Sequence, residues 1–364
     1  MKKRIIVVSL TFLLIVTVTS GCFDIFKTPE EGTKYQSHPT KVRYVISYGY
    51  IINCSGIGKY NITYDCDIPE VLIGQVTITE HDDNYEDVIL VNNPMKSWSI
   101  SSRDDNNYNL GITATVLAES FIVTDLNGAD ALSVQEIKEQ HMDVYLQYCK
   151  AQSNETITFI DPENEDIKSA AQSVLSETND VNSFILAKNL FIWLKENNYY
   201  KTHDENINVQ PANITKELGH GDCDDLSFLY ISLCRSIGIP ARFIRGFIAE
   251  EDDNGFVDAV PHAWVEVFVG GNIGNNGWIP VECACSSDNI DTQVYQNFGL
   301  ESVGHLRLFE DDGSDESLII SLSDIKVKYD TGIIIDLKPV AEVNSYRVLE
   351  SKELLIDNNN RRYR

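Results

Sequence analysis

The strongest structural constraint in this chain of 364 residues is a cysteine that directly precedes an apolar helical run. The motif HGDCDD at residues 220–225 leads into residues 226–237, where apolar side chains recur at helical spacing. The free N–H groups and positive dipole end of a first helical turn favour a thiolate. Asp222, Asp224 and Asp225 raise the pKa of the thiol, unless they cap the helix and point away from it. The pattern predicts a buried helix that begins at a nucleophile, Cys223.

Two strand-like segments after this helix supply the other groups that a thiol nucleophile needs. The first begins with His262, and the second ends with Glu282. A nucleophilic thiol requires a base and a third group that orients the base. Glu266 lies on the same strand face as His262 by alternation and is an alternative orienter. His220 is an alternative base, although it precedes the helix.

The N-terminal residues indicate export. The charged residues 1–4 and the apolar residues 5–19 resemble a secretory signal, and the sequence TSGC at residues 19–22 resembles the lipobox of prokaryotic lipoproteins. Cys22 is then the lipidated residue of a cell-surface protein. The alternatives are a plain signal peptide and an uncleaved anchor, and each places most of the chain outside the cytoplasm. A net charge of −26 argues against nucleic acid and anionic membrane surfaces as partners.

Residue patterns divide the rest of the chain into four parts. We predict a tether at residues 23–40, an antiparallel β domain at 41–126, an α+β domain at 127–309 and a C-terminal β extension at 310–364. The β domain has the pattern of a sandwich. In the α+β domain we predict helices at 133–149 and 181–197 and a helix with Asp161 as N-cap, followed by strands at 241–248, 263–269 and 278–282.

Six cysteines remain besides Cys22 and Cys223, which is an even number in a chain predicted to be exported. Cys54 and Cys66 flank a predicted hairpin and are the first candidates for a disulfide. The sequence leaves the connectivity of the other four open. A zinc site formed by His262 with Cys283 and Cys285 lacks a second matched pair. The acidic residues 310–316 lack the spacing of a calcium-binding loop, so we expect a solvated turn there, with calcium as the alternative.

The cysteine helix, the segment HAW at residues 262–264 and the segment GWIPVE at 277–282 together resemble the transglutaminase-like superfamily core. The resemblance covers residues 161–286 and implies a papain-like α+β fold. It implies that Cys223 is the nucleophile, His262 the base and Glu282 the orienter, where the family usually has an aspartate. It also implies an oxyanion donor upstream of the nucleophile, for which Trp193, Tyr199 and Tyr200 are the candidates.

These inferences predict a membrane-anchored, extracytoplasmic thiol enzyme that acts on a protein or peptide substrate without a cofactor. We expect amide hydrolysis through a thioester acyl-enzyme, because water is the default acceptor. Transglutaminase-type cross-linking to an amine is the near alternative. A non-catalytic surface module for binding or structure is the competing class.

Overall fold

A computed structural model describes residues 3–8, 35–70, 74–80, 84–178, 181–203, 209–251, 257–285, 289–322, 325–357 and 360–363. The strands are β1 (Lys3–Val8), β2 (Tyr35–Gly56), β3 (Tyr60–Asp67), β4 (Gly74–Glu80), β5 (Glu86–Leu90), β6 (Asn93–Ser102), β7 (Asn106–Glu119), β8 (Phe121–Ile122), β9 (Gln152–Ser153), β10 (Thr158–Ile160), β11 (Tyr199–Tyr200), β12 (His220–Gly221), β13 (Ala241–Glu251), β14 (Val257–Phe268), β15 (Trp278–Val281), β16 (Leu300–Glu301), β17 (His305–Glu310), β18 (Ile325–Asp330), β19 (Ile333–Asp357) and β20 (Asn360–Tyr363). The helices are α1 (Val134–Gln140), α2 (Met142–Tyr148), α3 (Glu165–Ser176), α4 (Ser183–Asn197), α5 (Ala212–Leu218), α6 (Cys223–Ser236), α7 (Ile290–Asn297) and α8 (Asp315–Ser321). The α+β fold predicted from the sequence is confirmed.

Both ends of the chain contribute strands to the β sandwich. One five-stranded sheet has the order β1-β18-β3-β6-β5, and the other has the order β20-β19-β2-β7-β4. All of their pairings are antiparallel, and β2 and β19 pair along most of their length. Alternate residues of β3 are buried, which is the pattern of a strand with one face in a core. The C-terminal strands are therefore integral to the two sheets.

The predicted disulfide between Cys54 and Cys66 is wrong, because both are buried thiols that form no disulfide. The segment between β2 and β3 crosses from one sheet to the other instead of forming a hairpin. Cys54 lies at the end of β2 near this crossing, whereas Cys66 lies six residues along β3. At the rise of a strand, six residues correspond to about 20 Å. The two thiols are thus held apart by the geometry of the sandwich.

The sheet that carries the candidate site has the order β15-β14-β13-β17 and is antiparallel throughout. On one face it packs against α6, which is buried around almost its whole circumference and also contacts α3, α4 and α5. On the other face, Phe247 and Leu306 join the hydrophobic core of the sandwich. Arg245 of β13 forms an ion pair of 2.5 Å with Asp67 of β3. The α+β part and the sandwich therefore share one interface of apolar contacts and a buried ion pair.

The helix predictions were correct in kind and differ at their ends. The predicted helix at 133–149 is two helices, α1 and α2, that meet at His141. The N-cap of α3 is Asn164 rather than Asp161, because the Asp161 carboxylate instead accepts a hydrogen bond from the Glu163 N–H in the preceding turn. Gly238 adopts a φ of 86° just after α6, as expected of a residue that ends a helix.

Strand β1 and the start of β2 lie in the segments predicted as signal peptide and tether, and Cys22 lies outside the described residues. Among the helices of the described ranges, which leave out residues 9–34, none is long and apolar enough to span a lipid bilayer. Export and lipidation remain predictions.

Candidate active site

Cys223 is the first residue of α6, and its helix begins with a reciprocal cap. The Asp222 carboxylate accepts a hydrogen bond from the Asp225 N–H, and the Asp225 carboxylate accepts one from the Asp222 N–H. Asp225 is fully buried and also contacts the side chains of His203, at 2.6 Å, and Gln210, at 2.9 Å. These contacts turn Asp225 away from the thiol and fix the position at which the helix starts.

Asp224 does not point away from the thiol. Its Oδ1 lies 4.0 Å from the Cys223 Sγ. Burial raises the pKa of the Cys223 thiol well above its ordinary value, the charges of Asp224 and Asp222 raise it further, and a hydrogen bond from the Ala263 N–H opposes them. Because Asp224 lies close to the sulfur, the helix N-terminus alone is not expected to convert the thiol to a thiolate. The thiol needs a base to remove its proton.

His262 is placed to be that base. It lies on β14, and the backbone N–H of the next residue, Ala263, is the hydrogen-bond donor to the Cys223 sulfur. The Nε2 of His262 is 2.6 Å from the Glu282 Oε2, so Nδ1 is the ring nitrogen that remains for exchange with the thiol. Burial lowers the pKa of His262, but the charge and hydrogen bond of Glu282 outweigh it, and the pKa is raised. The imidazole is therefore a stronger base than a free histidine.

Glu282 follows β15 and is 97% buried. Its Oε1 accepts a hydrogen bond of 2.6 Å from the Ala284 N–H, and its Oε2 contacts both His262 and His305, the latter at 3.1 Å. Burial opposes ionisation, yet the two histidines hold the pKa of this carboxyl well below its ordinary value. Lys195 of α4 donates to the carbonyls of Cys283 and Cys285 and so anchors the segment that follows the glutamate.

Sequence reasoning missed His305. It is the first residue of β17, and its ring lies 5.9 Å from that of His262. No motif joins it to Cys223, and the only signal in the sequence is a histidine at the start of the strand-like segment HLRLFE. Only the pairing of β17 with β13 brings it to the site.

Glu266 is not an orienter of His262, and that alternative is wrong. It does lie on the same strand as His262, but four residues along a strand correspond to about 13 Å. Its carboxylate instead receives hydrogen bonds from Arg242, at 2.8 and 2.5 Å, and from Arg307, at 2.5 Å. Burial opposes its ionisation, but Arg307 and Arg242 lower the pKa of Glu266 to about 2. It is a buried structural carboxylate.

Among the three candidates for the oxyanion donor, the surroundings favour Tyr200. It pairs with Gly221, two residues before the nucleophile, through the parallel pairing of β11 and β12. Burial raises the pKa of the Tyr200 hydroxyl, and the negative charges of Cys223 and Asp222 raise it further. Tyr199 is 59% exposed, and Trp193 packs against the hydrophobic core from α4.

The remaining sequence candidates have other surroundings. The His220 ring packs against Tyr199, at 5.4 Å between ring centroids. Cys283 is buried with its thiol directed to the Val281 carbonyl, at 3.9 Å. Within the described ranges, two trios bring potential metal-ligand atoms within 4.8 Å of one another, namely His262, Glu282, His305 and His203, Asp222, Asp225, and neither contains a cysteine. Both trios are already joined internally by hydrogen bonds.

The acidic residues 310–316 run from the end of β17 into the first turn of α8. Ser314 is the N-cap of α8. Asp311 is fully buried, where its carboxylate lies 3.7 Å from Arg235 and accepts a hydrogen bond of 3.0 Å from Gln152. The expectation of a solvated turn was therefore wrong for Asp311, which has an internal cation as its partner.

Comparison with known proteins agrees with this geometry. Residues 168–283, which contain Cys223, His262 and Glu282, match the model of the transglutaminase-like superfamily. This chain contains a transglutaminase-like domain. The domain class supports a general thiol-enzyme function.

The individual relatives cover the chain to different extents. The uncharacterized protein YebA of Bacillus subtilis is 33% identical over 106 residues, which are 27% of this chain and 13% of YebA. A cysteine protease candidate from Cytophaga hutchinsonii covers 91% of this chain and is itself covered completely, with a TM-score of 0.46 and 16% identity. The periplasmic domain of TgpA from Pseudomonas aeruginosa covers 67% of this chain, which covers 87% of that domain, with a TM-score of 0.34 and 10% identity.

Replacing Glu266 with glutamine is expected to destabilise the fold. The change leaves Arg242 and Arg307 without their shared charge, and we expect a loss of about 3 kcal/mol in the free energy of unfolding at pH 7. Because the folded pKa of Glu266, about 2, lies below its ordinary value of 4.5, its contribution is complete above pH 4.5 and is lost as the pH falls towards 2. Urea denaturation at pH 7 and at pH 3 measures the difference in the free energy of unfolding between E266Q and the wild type. This difference should be smaller at pH 3.

Glu282→Gln is the matched control. The histidines that contact Glu282 can lose a proton, whereas the arginines that contact Glu266 cannot, so E282Q should lose less stability. Conversely, E282Q should slow the alkylation of Cys223, and E266Q should not. An E266Q protein as stable as the wild type, or one that slows alkylation more than E282Q, would contradict these two assignments.

Proposed function

We propose that this chain is an exported, lipid-anchored thiol enzyme that hydrolyses amide bonds in a protein or peptide substrate. The observation that carries the proposal is the hydrogen bond of the Cys223 sulfur with the Ala263 backbone, next to a histidine whose Nε2 is bound to a buried carboxylate. A structural role for this part of the sheet would not require an ionised carboxylate buried against a histidine. The extracytoplasmic location rests on the N-terminal residues and the lipobox-like Cys22.

The proposed reaction begins when the Cys223 sulfur attacks the carbonyl carbon of the substrate. His262 takes the thiol proton, and the charge of Glu282 stabilises the resulting imidazolium. The C–N bond then breaks as His262 gives the proton to the leaving amine. This leaves a thioester between Cys223 and the acyl part of the substrate.

Water resolves the thioester in the second half of the reaction. His262 removes a proton from the water as its oxygen attacks the thioester carbonyl, and the C–S bond breaks. The sulfur regains a proton from His262, and the carboxylic acid leaves. A substrate amine in place of water would form a new amide, which is the cross-linking reaction.

Hydrolysis and cross-linking can be separated by one assay. Purified protein is incubated with casein as the probe substrate, with and without a fluorescent primary amine, and the products are read by amine labelling and by mass spectrometry. We expect new peptide termini or deamidated glutamines, little amine incorporation, and complete loss of both in C223A. Amine incorporation as the main product would replace hydrolysis with cross-linking. No product in any condition, together with an unreactive Cys223, would support the binding or structural module.

Tyr200 is proposed to stabilise the oxyanion through its hydroxyl group. Loss of one oxyanion donor costs roughly 100-fold or more in turnover. Y200F should therefore be slower by about that factor in the assay above, while the binding of substrate changes less. Y199F is the matched control, because Tyr199 is an adjacent tyrosine that is largely exposed. Equal rates in Y200F and the wild type would remove Tyr200 from the mechanism.

A further inference from the structure

His305 binds the same carboxylate oxygen as His262. Its Nε2 is 3.1 Å from the Glu282 Oε2, and it approaches from β17, on the far side of β13 from the strand that carries His262. His305 is 91% buried, and its ring packs edge-on against Trp264, with 5.0 Å between ring centroids. The position of this imidazole is therefore fixed by packing as well as by hydrogen bonds.

Glu282 requires a proton on the His305 Nε2, because an ionised carboxylate only accepts hydrogen bonds. The Ser302 Oγ accepts a hydrogen bond of 3.2 Å from the Gly304 N–H and also lies 2.9 Å from the His305 Nδ1. Both ring nitrogens therefore have hydrogen-bond partners, and Nε2 is the donor to Glu282.

A glycine allows β17 to approach so closely. A Cβ at Gly246 would lie 2.1 Å from the Leu306 carbonyl oxygen, so a side chain there would push β17 away. Gly246 pairs with His262 on one side and with Arg307 on the other. The register between β13 and β17 shifts at this point, where β17 has one extra residue, Leu308. The backbone is thus adapted to place His305 next to the pair formed by His262 and Glu282.

A glutamate side chain has one more rotatable bond than the usual aspartate and needs an additional contact to hold its carboxylate. The Ala284 N–H fixes Oε1, and Oε2 contacts His305 as well as His262. We propose that His305 is a positioning residue, a hydrogen-bond donor that orients the Glu282 carboxylate and through it the His262 imidazole. This rests on the proposed function of Cys223 and His262.

The test compares His305→Leu with His305→Gln. Leucine fills the space without a donor, whereas the glutamine amide can donate from nearly the position of the His305 Nε2. Hydrogen-bond partners that orient metal-binding histidines typically contribute about 10- to 100-fold. By analogy, we expect H305L to slow alkylation of Cys223 by iodoacetamide at pH 7 by about tenfold. H305Q should restore most of the rate. EDTA is included, because His262, Glu282 and His305 are close enough to bind a metal ion.

A second readout separates positioning from general loss of structure. The short hydrogen bond between His262 and Glu282 should give a downfield proton resonance that E282Q abolishes, H305L shifts or broadens, and H305Q retains. If H305L does not fold, as judged by circular dichroism, Ser302→Ala takes its place, because it removes the hydroxyl that contacts the His305 Nδ1 and leaves the ring. A slowed S302A and a rescued H305Q would support the proposal.

Two outcomes would overturn it. In the first, folded H305L has the same rate of Cys223 alkylation and the same downfield proton resonance as the wild type. If H305L does not fold, the same result in S302A counts instead. Alternatively, folded H305Q could be as slow as H305L, which would assign the effect to the ring rather than to its donor. Failure of the proposed function looks different, because the wild type itself would then react no faster than H262A.

Discussion

The hydrogen bond between His262 and Glu282 is the interaction on which the chemistry of this molecule depends. The thiol of Cys223 lies at a helix N-terminus, which favours a thiolate, but burial and two aspartates raise its pKa. The proton must therefore go to a specific acceptor. Glu282 provides one by raising the pKa of His262 against the effect of burial. The nucleophile, in this account, is activated by its histidine and not by its helix.

The surrounding fold keeps that carboxylate ionised in a buried place. Two histidines and a backbone N–H satisfy its oxygens, and Lys195 fixes the chain that follows it. The nearby arginines are engaged elsewhere, with Arg242 and Arg307 on Glu266 and Arg245 on Asp67. An arginine on Glu282 would bind the carboxylate bidentately and compete with His262. Because these arginines pair with Glu266 and Asp67, they do not compete with His262 for the Glu282 carboxylate.

The sequence alone was sufficient for the local features of this site. The aspartate cap and Gly238 define the cysteine helix, and the strand pattern places Glu282 correctly at the end of a strand. His262 was predicted to begin a strand, but it lies in the middle of β14, which starts five residues earlier. Strand alternation also put Glu266 on the same face as His262, but alternation does not show whether two side chains are close enough to bind each other. The arginines that bind Glu266 come from other strands.

Features that depend on distant pairings could not be predicted. His305 reaches the site only because β17 pairs with β13, and Cys54 and Cys66 are separated because the chain changes sheets between them. The direction of Asp224 depends on a side-chain rotamer, which residue type and spacing do not determine. In each case the missing information was the tertiary structure.

The most direct test of the central claim is the pH dependence of iodoacetamide labelling at Cys223, read by peptide mass spectrometry in the wild type and in His262→Ala. If His262 accepts the thiol proton, wild-type Cys223 should react rapidly well below pH 8. In H262A the reaction should be slow until the pH approaches the raised pKa of the isolated thiol. Identical profiles in the two proteins, or an unreactive Cys223 in both, would contradict the account.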